Sequence, residues 1–412
     1  MENQSKSNIW FTVIVAALGY FVDIFDLQLF NIIGKQSLGA AGLNLSPEQI
    51  TYYYDYVLFN YQMGGMLVGG LVWGIMGDRF GRKSILFGSI LLYSLANFAN
   101  GFVQDIPTYC VLRFVAGFGL AGELGAAVTL VSEIMSKETR GIGTLIIVGT
   151  GALGAVAAAY VSKSGVSWQT AYFIGGGLGL MLLFLRFRTF ESGMFDNLKN
   201  TEGISKGNFF ALFTDAERFK KYLMCILIGV PIWFILGIMI KFSPKFAAAT
   251  GVVGEVSVPN AVMYAYIGLS VGDVIAGWLS QILKSRRIVV LIYLFASMLS
   301  AAMVLFMPFI SNSSFYILCF ILGAATGYWG LFVTIASEQF GTNLRATVTT
   351  TVPNFVRGSV ILVTLAYKSL EATSGTTQSA VIVGGICLIL GFIAIFNLEE
   401  TFGKDLDYYE KE

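Results

Sequence analysis

Apolar runs of membrane length follow one another through almost the whole chain. A hydrocarbon core of about 30 Å takes about 20 apolar residues per crossing helix. Stretches near 9–33, 50–77, 84–103, 108–133, 142–162 and 168–187 meet that need in the first half. Those near 221–241, 258–282, 288–310, 314–337, 347–368 and 378–397 meet it in the second. So many apolar faces cannot hide inside a water-soluble core. Of the 412 residues 56% are hydrophobic and 12% charged, against about 25% charged in a soluble domain. Lipid is therefore the solvent, and each run reads as a crossing helix. The 47 glycines fall mostly inside the runs, where they let helix backbones approach closely.

Several function classes drop out on composition. There is no histidine, which removes the usual imidazole ligand, proton shuttle and catalytic base and leaves proton chemistry to carboxylates. Cys110, Cys225, Cys319 and Cys387 lie inside apolar runs without CxxC spacing and read as buried structural thiols. No acid cluster has metal-ligand spacing, so neither metal nor cofactor is expected, and the chain does not read as an enzyme. A net charge of +1 makes no electrostatic case for nucleic acid. Met1 to Asn8 is polar with no small-residue cleavage site after a short apolar core, so no removed signal peptide is expected.

Polar segments divide the chain. Residues 188–220 carry Glu191, Asp196, Lys199, Lys206, Asp215, Glu217 and Arg218 and read as a cytoplasmic linker between an N-terminal six-helix unit (1–187) and a C-terminal one (221–398). The charged tail, 399–412, is expected in the cytoplasm. Orientation follows from Lys and Arg in the loops. With the N-terminus inside, inner segments hold most of the 26 basic residues, and outer segments hold Lys35, Lys163, Lys241, Lys245 and Lys368. Both termini are thus expected in the cytoplasm of a plasma membrane, the inner membrane in a bacterium.

The halves repeat. Gly65, Gly69 and Gly74 in the second run match Gly268, Gly272 and Gly277 in the eighth, each 203 residues on. Ser132-Glu133, with Arg140 seven residues after the glutamate, matches Ser337-Glu338 with Arg345, 205 residues on. Parallel repeats about an axis along the membrane normal are one transporter architecture. After the second run stands Gly74-Ile75-Met76-Gly77-Asp78-Arg79-Phe80-Gly81-Arg82-Lys83, with a weaker copy from Gly277 to Arg287 that has Gln281 in place of Asp78. This stretch resembles the signature of the major facilitator superfamily. Arg113-xxx-Gly117-x-Gly119-xx-Gly122-Glu123-x-Gly125 and Gly19-Tyr20-Phe21-Val22-Asp23-Ile24-Phe25-Asp26 resemble the metabolite:proton symporters within it, with sugar-porter-like features. Glu191-Ser192 and Glu400-Thr401-Phe402-Gly403 also resemble facilitator helix endings. The resemblance implies twelve transmembrane helices in two pseudo-symmetric six-helix bundles, alternating access by a rocker switch, and function as a monomer.

It also implies roles for the charges. Helix two packs against helix eleven in the facilitator fold, so Asp78 is expected to latch onto the start of helix eleven, where a carboxylate is favoured. Gly74, Gly81 and Lys83 belong to the same gating loop. Arg79 and Arg82 are expected to pair with Glu133, and Arg140, Glu338 and Arg345 form the matching gating positions. Because Gln281 brings no charge, the latch is expected to hold one seam only.

Ionisable groups deep in a crossing helix are functional candidates. Rise per residue places Asp26 and Arg113 at similar depth in the outer half. That predicts an Asp26–Arg113 pair, to which the resemblance to sugar porters lends the proton-coupling role; a permanent structural pair is the alternative. Asp23, one turn deeper, is a second proton site or a substrate contact, and Glu123 a proton relay or the partner of a cation. Arg357, near mid-membrane, either binds an anionic substrate group or pairs with Asp23. Asp273 faces the cavity or helix five. Tyr20, Asn60, Gln62, Trp233, Trp329 and Asn354 are candidate cavity residues. The expected function is secondary active transport, by proton symport, of a small polar metabolite such as an organic acid, amino acid or other zwitterion. An exporter, antiporter or facilitative uniporter for a sugar, nucleoside or drug is the alternative.

Overall fold

The computed structural model describes residues 6–136, 139–187, 189, 192, 195, 206–307 and 311–410. Part of the expected 188–220 linker, including Glu191, Asp196 and Lys199, lies outside the described residues. Helices α1 (Lys6–Leu38), α3 (Arg82–Asn100), α4 (Ile106–Ile134), α5 (Arg140–Lys163), α6 (Trp168–Arg186), α8 (Val258–Ile282) and α9 (Arg286–Phe306) are continuous. The others are interrupted. Helix α2 runs through Pro47–Tyr52, a π-helical turn at Tyr53–Val57 and Leu58–Phe80. Helix α7 runs through Ala216–Leu227, Val230–Phe234, a π-helical stretch at Ile235–Ile240 and Ser243–Ala249, starting five residues earlier than the hydropathy indicates. Helix α10 comprises Asn312–Ala325 and Trp329–Gln339. The stretch Thr342–Asn397 holds α11 and α12, broken at Gly375, whose φ of 76° no β-carbon-bearing residue adopts cheaply.

Local chemistry explains many of these boundaries. Asp105 caps α4, its carboxylate accepting from the Thr108 N–H at 2.8 Å and the Thr108 hydroxyl at 2.8 Å. Ser167, Asp215, Ser285 and Ser311 cap α6, α7, α9 and α10 in the same way. Gly81, at φ 99°, makes the sharp turn from α2 into α3.

Burial is inverted relative to a water-soluble protein. Leu362, Leu299, Phe396 and Ile389 are exposed, and all lie on crossing helices where lipid would cover them. Asp23, Asp26, Asp78, Arg82, Arg113, Glu123, Arg345 and Arg357 are fully buried. The duplication is visible in the packing. A β-carbon on Gly65 or Gly69 of α2 would collide with the carbonyl oxygens of Phe114 and Phe118 of α4. On Gly268 or Gly272 of α8 it would collide with those of Phe320 and Ala324 of α10. The matched glycines thus do the same work in each half. Gly74 lies 3.0 Å from the Thr347 backbone of α11 when given a β-carbon, and Gly277 meets Leu145 of α5. Those contacts join the halves.

Candidate functional site

Polar groups gather at three levels along the seam between the halves: the face bearing the Gly74–Lys83 loop, the centre, and the opposite face.

On the loop face Asp78 closes α2 against the first turn of α11. Its carboxylate accepts from the N–H groups of Ala346 (3.1 Å) and Thr347 (2.8 Å) and from the Thr347 hydroxyl (2.7 Å). Arg82 lies 3.4 Å from it and makes a two-pronged pair with Glu133 at 2.9 and 3.1 Å. Glu133 also takes Arg345 of the other half at 3.3 Å. The second half repeats this arrangement. Glu338 is shared by Arg286 of its own half, 3.3 Å away, and Arg140 of the other, 3.1 Å away. This overturns the expectation of a single charged seam. Gln281 does replace Asp78, lying against Gly141 at the start of α5, but Arg140–Glu338 brings charge to that seam independently. Arg79 does not join Glu133. It is exposed, and its Nε donates to the Lys206 carbonyl at 3.3 Å, because Arg79 and Arg82 sit on either side of the Gly81 turn and leave it in different directions. Lys83, half-buried, lies over the Phe87 ring. The tail closes over the network: Arg345 donates to the Leu406 carbonyl, Arg140 to that of Lys404 at 3.0 Å, and the Thr342 N–H to that of Tyr408 at 2.8 Å.

At the centre Arg357 of α11 meets Asp23 of α1 at 3.6 Å, both fully buried. Arg357 also donates to Tyr20 Oη at 3.3 Å and Asn354 Oδ1 at 3.4 Å, and stacks on the Trp329 ring. Tyr20 accepts from Trp329 Nε1 at 2.7 Å. Tyr20, Trp233, Tyr266, Trp329 and Arg357 line a cavity of about 10 Å³, room for one water at most. Trp233 Nε1 is buried without a hydrogen-bond partner among the described residues. Asn354 stands beside this cavity as a brace, donating to the Ala121 carbonyl of α4 at 2.8 Å while its oxygen faces Arg357.

The expected Asp26–Arg113 pair is absent among the described residues. Arg113 donates to Gln62 and stacks on Phe30. The Asp26 carboxylate faces Gly175 of α6 and has no hydrogen-bond partner among the described residues. The two share a depth but not a face, and depth alone carries no rotation about the helix axis. Gln62 accordingly belongs to Arg113 and not to the central cavity. Glu123 pairs with Arg186, which also donates to the Leu86 carbonyl. By sequence Arg186 is one more topology charge at the end of α6; nothing in its local surroundings marks it as buried. Asp273 accepts from the Gly330 N–H at 2.9 Å and lines a small cavity with Thr144 of α5 and Thr334 of α10.

On the opposite face Gln28 of α1 donates to Tyr266 of α8 at 2.6 Å. Lys241 reaches across from α7 to the Asp55 carbonyl at 2.9 Å, packed on the Phe59 ring. The Lys241–Asp55 contact joins the two π-helical stretches, Asp55 lying within one and Lys241 ending the other; such stretches are frequent at functional sites. Sequence reasoning missed Lys241 and Tyr266, which read as a loop charge and an ordinary apolar-run residue.

Residues 16–364 match the family model of the Major Facilitator Superfamily. The chain is 27% identical over 402 residues to the 3-(3-hydroxy-phenyl)propionate transporter of Escherichia coli (strain K12), covering 94% of this chain and 95% of that one. It is 24% identical over 339 residues to the sialic acid transporter NanX of the same organism, covering 80% and 79%. Among solved structures it resembles the proton:xylose symporter XylE bound to 6-bromo-6-deoxy-D-glucose, with a TM-score of 0.76, 15% identity and 98% of each chain covered.

Proposed function

The chain belongs to the major facilitator superfamily and is a transporter of small molecules, not an enzyme; from that premise we propose that it imports a small metabolite bearing a carboxylate together with a proton. The Asp23–Arg357 pair carries this reading. It is buried at the centre, joins α1 to α11 and therefore joins the halves, and lies against the central cavity. A substrate carboxylate and the Asp23 carboxylate compete for one guanidinium, whose planar fork suits either. Protonation of Asp23 releases Arg357, and the substrate anion then takes its place. The proton and the anion enter together because leaving Arg357 without a counter-charge in lipid is costly. Proton coupling thus moves from the Asp26–Arg113 pair to Asp23–Arg357.

Access alternates by rocking of the 1–187 and 221–398 units. The excess of basic residues supports a cytoplasmic Gly74–Lys83 face, with both termini on that side. Asp78, the shared Glu133 and the shared Glu338 hold that face closed. Gln28–Tyr266 and Lys241–Asp55 hold the outer face. One chain supplies both walls of the site, so it works as a monomer in the plasma membrane, the inner membrane if the cell is bacterial.

Uptake into proteoliposomes tests this. With an inward proton gradient, purified protein accumulates a carboxylate substrate found by thermal-shift screening of organic acids, amino acids, nucleosides and sugars. Asp23→Asn abolishes gradient-driven accumulation while leaving substrate exchange measurable. Accumulation by Asp23→Asn equal to that of the unmodified protein rejects the coupling assignment.

A further inference from the structure

Helix α10 breaks beside the central cavity. Its first segment ends at Ala325 and its second starts at Trp329. A break leaves the first N–H groups of the second segment without helical partners. Tyr328, the residue ahead of that segment, supplies no side-chain cap among the described residues. Its hydroxyl donates instead to the Ile228 carbonyl of α7 at 2.9 Å. The cap comes from another helix. Asp273 of α8, only 2% exposed, accepts from the Gly330 N–H at 2.9 Å. The break is seated for this contact. A β-carbon on Gly327 would lie 2.3 Å from the Gly272 carbonyl carbon and 2.5 Å from the Asp273 nitrogen, so only glycine lets the two backbones come this close.

Trp329 precedes the capped residue, and it carries much of the central site. Its indole N–H donates to Tyr20 of the other half at 2.7 Å. Arg357 stacks on its ring at 5.4 Å, and its ring meets that of Trp233 with centroids 6.2 Å apart. A first turn without its cap frays, and a displaced Trp329 would loosen all three contacts at once.

We propose that Asp273 is a positioning residue for the central site. By capping the second segment of α10 from a neighbouring helix it fixes Trp329, and through Trp329 it fixes the contact with Tyr20 across the seam. Asp273 forms no hydrogen bond with Tyr20 or Arg357 among the described residues, so its effect on them runs through the α10 backbone. Its part in transport rests on the central cavity being the substrate site, as argued above; the cap itself does not.

The proton–nitrogen correlation spectrum of the full chain in detergent, carrying isotope-labelled tryptophan, tests this. The chain has six tryptophans, and Trp329→Phe identifies the indole signal of Trp329. Tyr20→Phe removes the acceptor and shows where that signal falls when the indole N–H is free. Asp273→Ala is expected to move the Trp329 signal in the same direction and to speed exchange of its indole proton with solvent about tenfold, the size of a lost helix cap. Asp273→Asn, which keeps an acceptor oxygen, is expected to retain the unmodified signal. In the Tyr20→Phe background Asp273→Ala should add less to the exchange rate than it does alone. If Asp273→Ala does not fold, Asp273→Val, which fills the space without an acceptor, carries the same expectations. An unchanged Trp329 signal in Asp273→Ala overturns the proposal even where the melting temperature falls. Full additivity with Tyr20→Phe overturns it too, as does an Asp273→Asn signal that matches that of Asp273→Ala. No substrate enters the measurement, so failure of the transport reading shows separately, as absence of proton-driven uptake in proteoliposomes.

Discussion

Asp78→Asn is the sharpest perturbation of the closed loop face. The carboxylate accepts three hydrogen bonds from the first turn of α11, two of them from backbone N–H groups. Asparagine keeps one oxygen and turns an NH2 group toward donors, so at least one bond is lost and the remainder lose their charge. A hydrogen bond to a charged group contributes about 1.5–3 kcal/mol, and the charge at a helix N-terminus about 0.3–1 kcal/mol. Together the closed state loses about 2–4 kcal/mol, which raises the open-to-closed ratio about 30- to 700-fold at 1.4 kcal/mol per factor of ten. The four native cysteines are buried, so a Thr144→Cys reporter, at a buried position near the start of α5, can be followed by its rate of alkylation with N-ethylmaleimide. Asp78→Asn is expected to speed alkylation at least tenfold. Thr347→Val, which deletes only the hydroxyl bond, is expected to give a smaller effect, and Asp78→Asn should add less in that background than alone. An alkylation rate within twofold of the unmodified protein, or strict additivity of the two changes, refutes the capping argument.

Asp26→Asn is expected to leave both melting temperature and proton-driven uptake close to those of the unmodified protein, since the carboxylate has no hydrogen-bond partner among the described residues; uptake lost as fully as in Asp23→Asn contradicts this. Arg140→Gln leaves Glu338 with Arg286 alone, so it should loosen the second seam, read as faster alkylation of a thiol in that seam, while Arg286→Gln should lower the melting temperature within the half. Gly65→Leu and Gly268→Leu, placed against backbone carbonyls, should each destabilise by more than the about 1–3 kcal/mol typical of overpacking and reduce the yield of folded protein to a similar degree. The tail has its own pH signature. Burial works to raise the Glu400 carboxyl, but hydrogen bonds from Ser285 and from the backbone N–H groups of Arg286, Phe402 and Arg287 outweigh it and hold the group below its usual range. A lowered carboxyl contributes stability above its unfolded value and loses it as pH falls through the lowered one. Proteolysis of the tail should therefore be slow at neutral pH and accelerate in acid, and Glu400→Gln should be cleaved readily at both.

The amino-acid sequence determined the solvent, the number of crossings and the duplication. Each of these follows from quantities that run along the chain: the length of apolar runs, the distribution of Lys and Arg, and the spacing of Gly65, Gly69 and Gly74 against Gly268, Gly272 and Gly277. It also showed which ionisable groups lie deep, because depth is sequence distance multiplied by rise. Partner choice was decided by the tertiary structure. Asp23 and Asp26 stand three residues apart, yet one meets Arg357 across the seam and the other turns toward α6. Arg113 met Gln62, Glu123 met Arg186, and Glu338 gathered Arg140 and Arg286 from different halves. Such pairings depend on the rotation of each helix about its axis and on which helices are neighbours. Neither is encoded in hydropathy, because a helix with lipid on one side and protein on the other can place its charges on any inward-facing line.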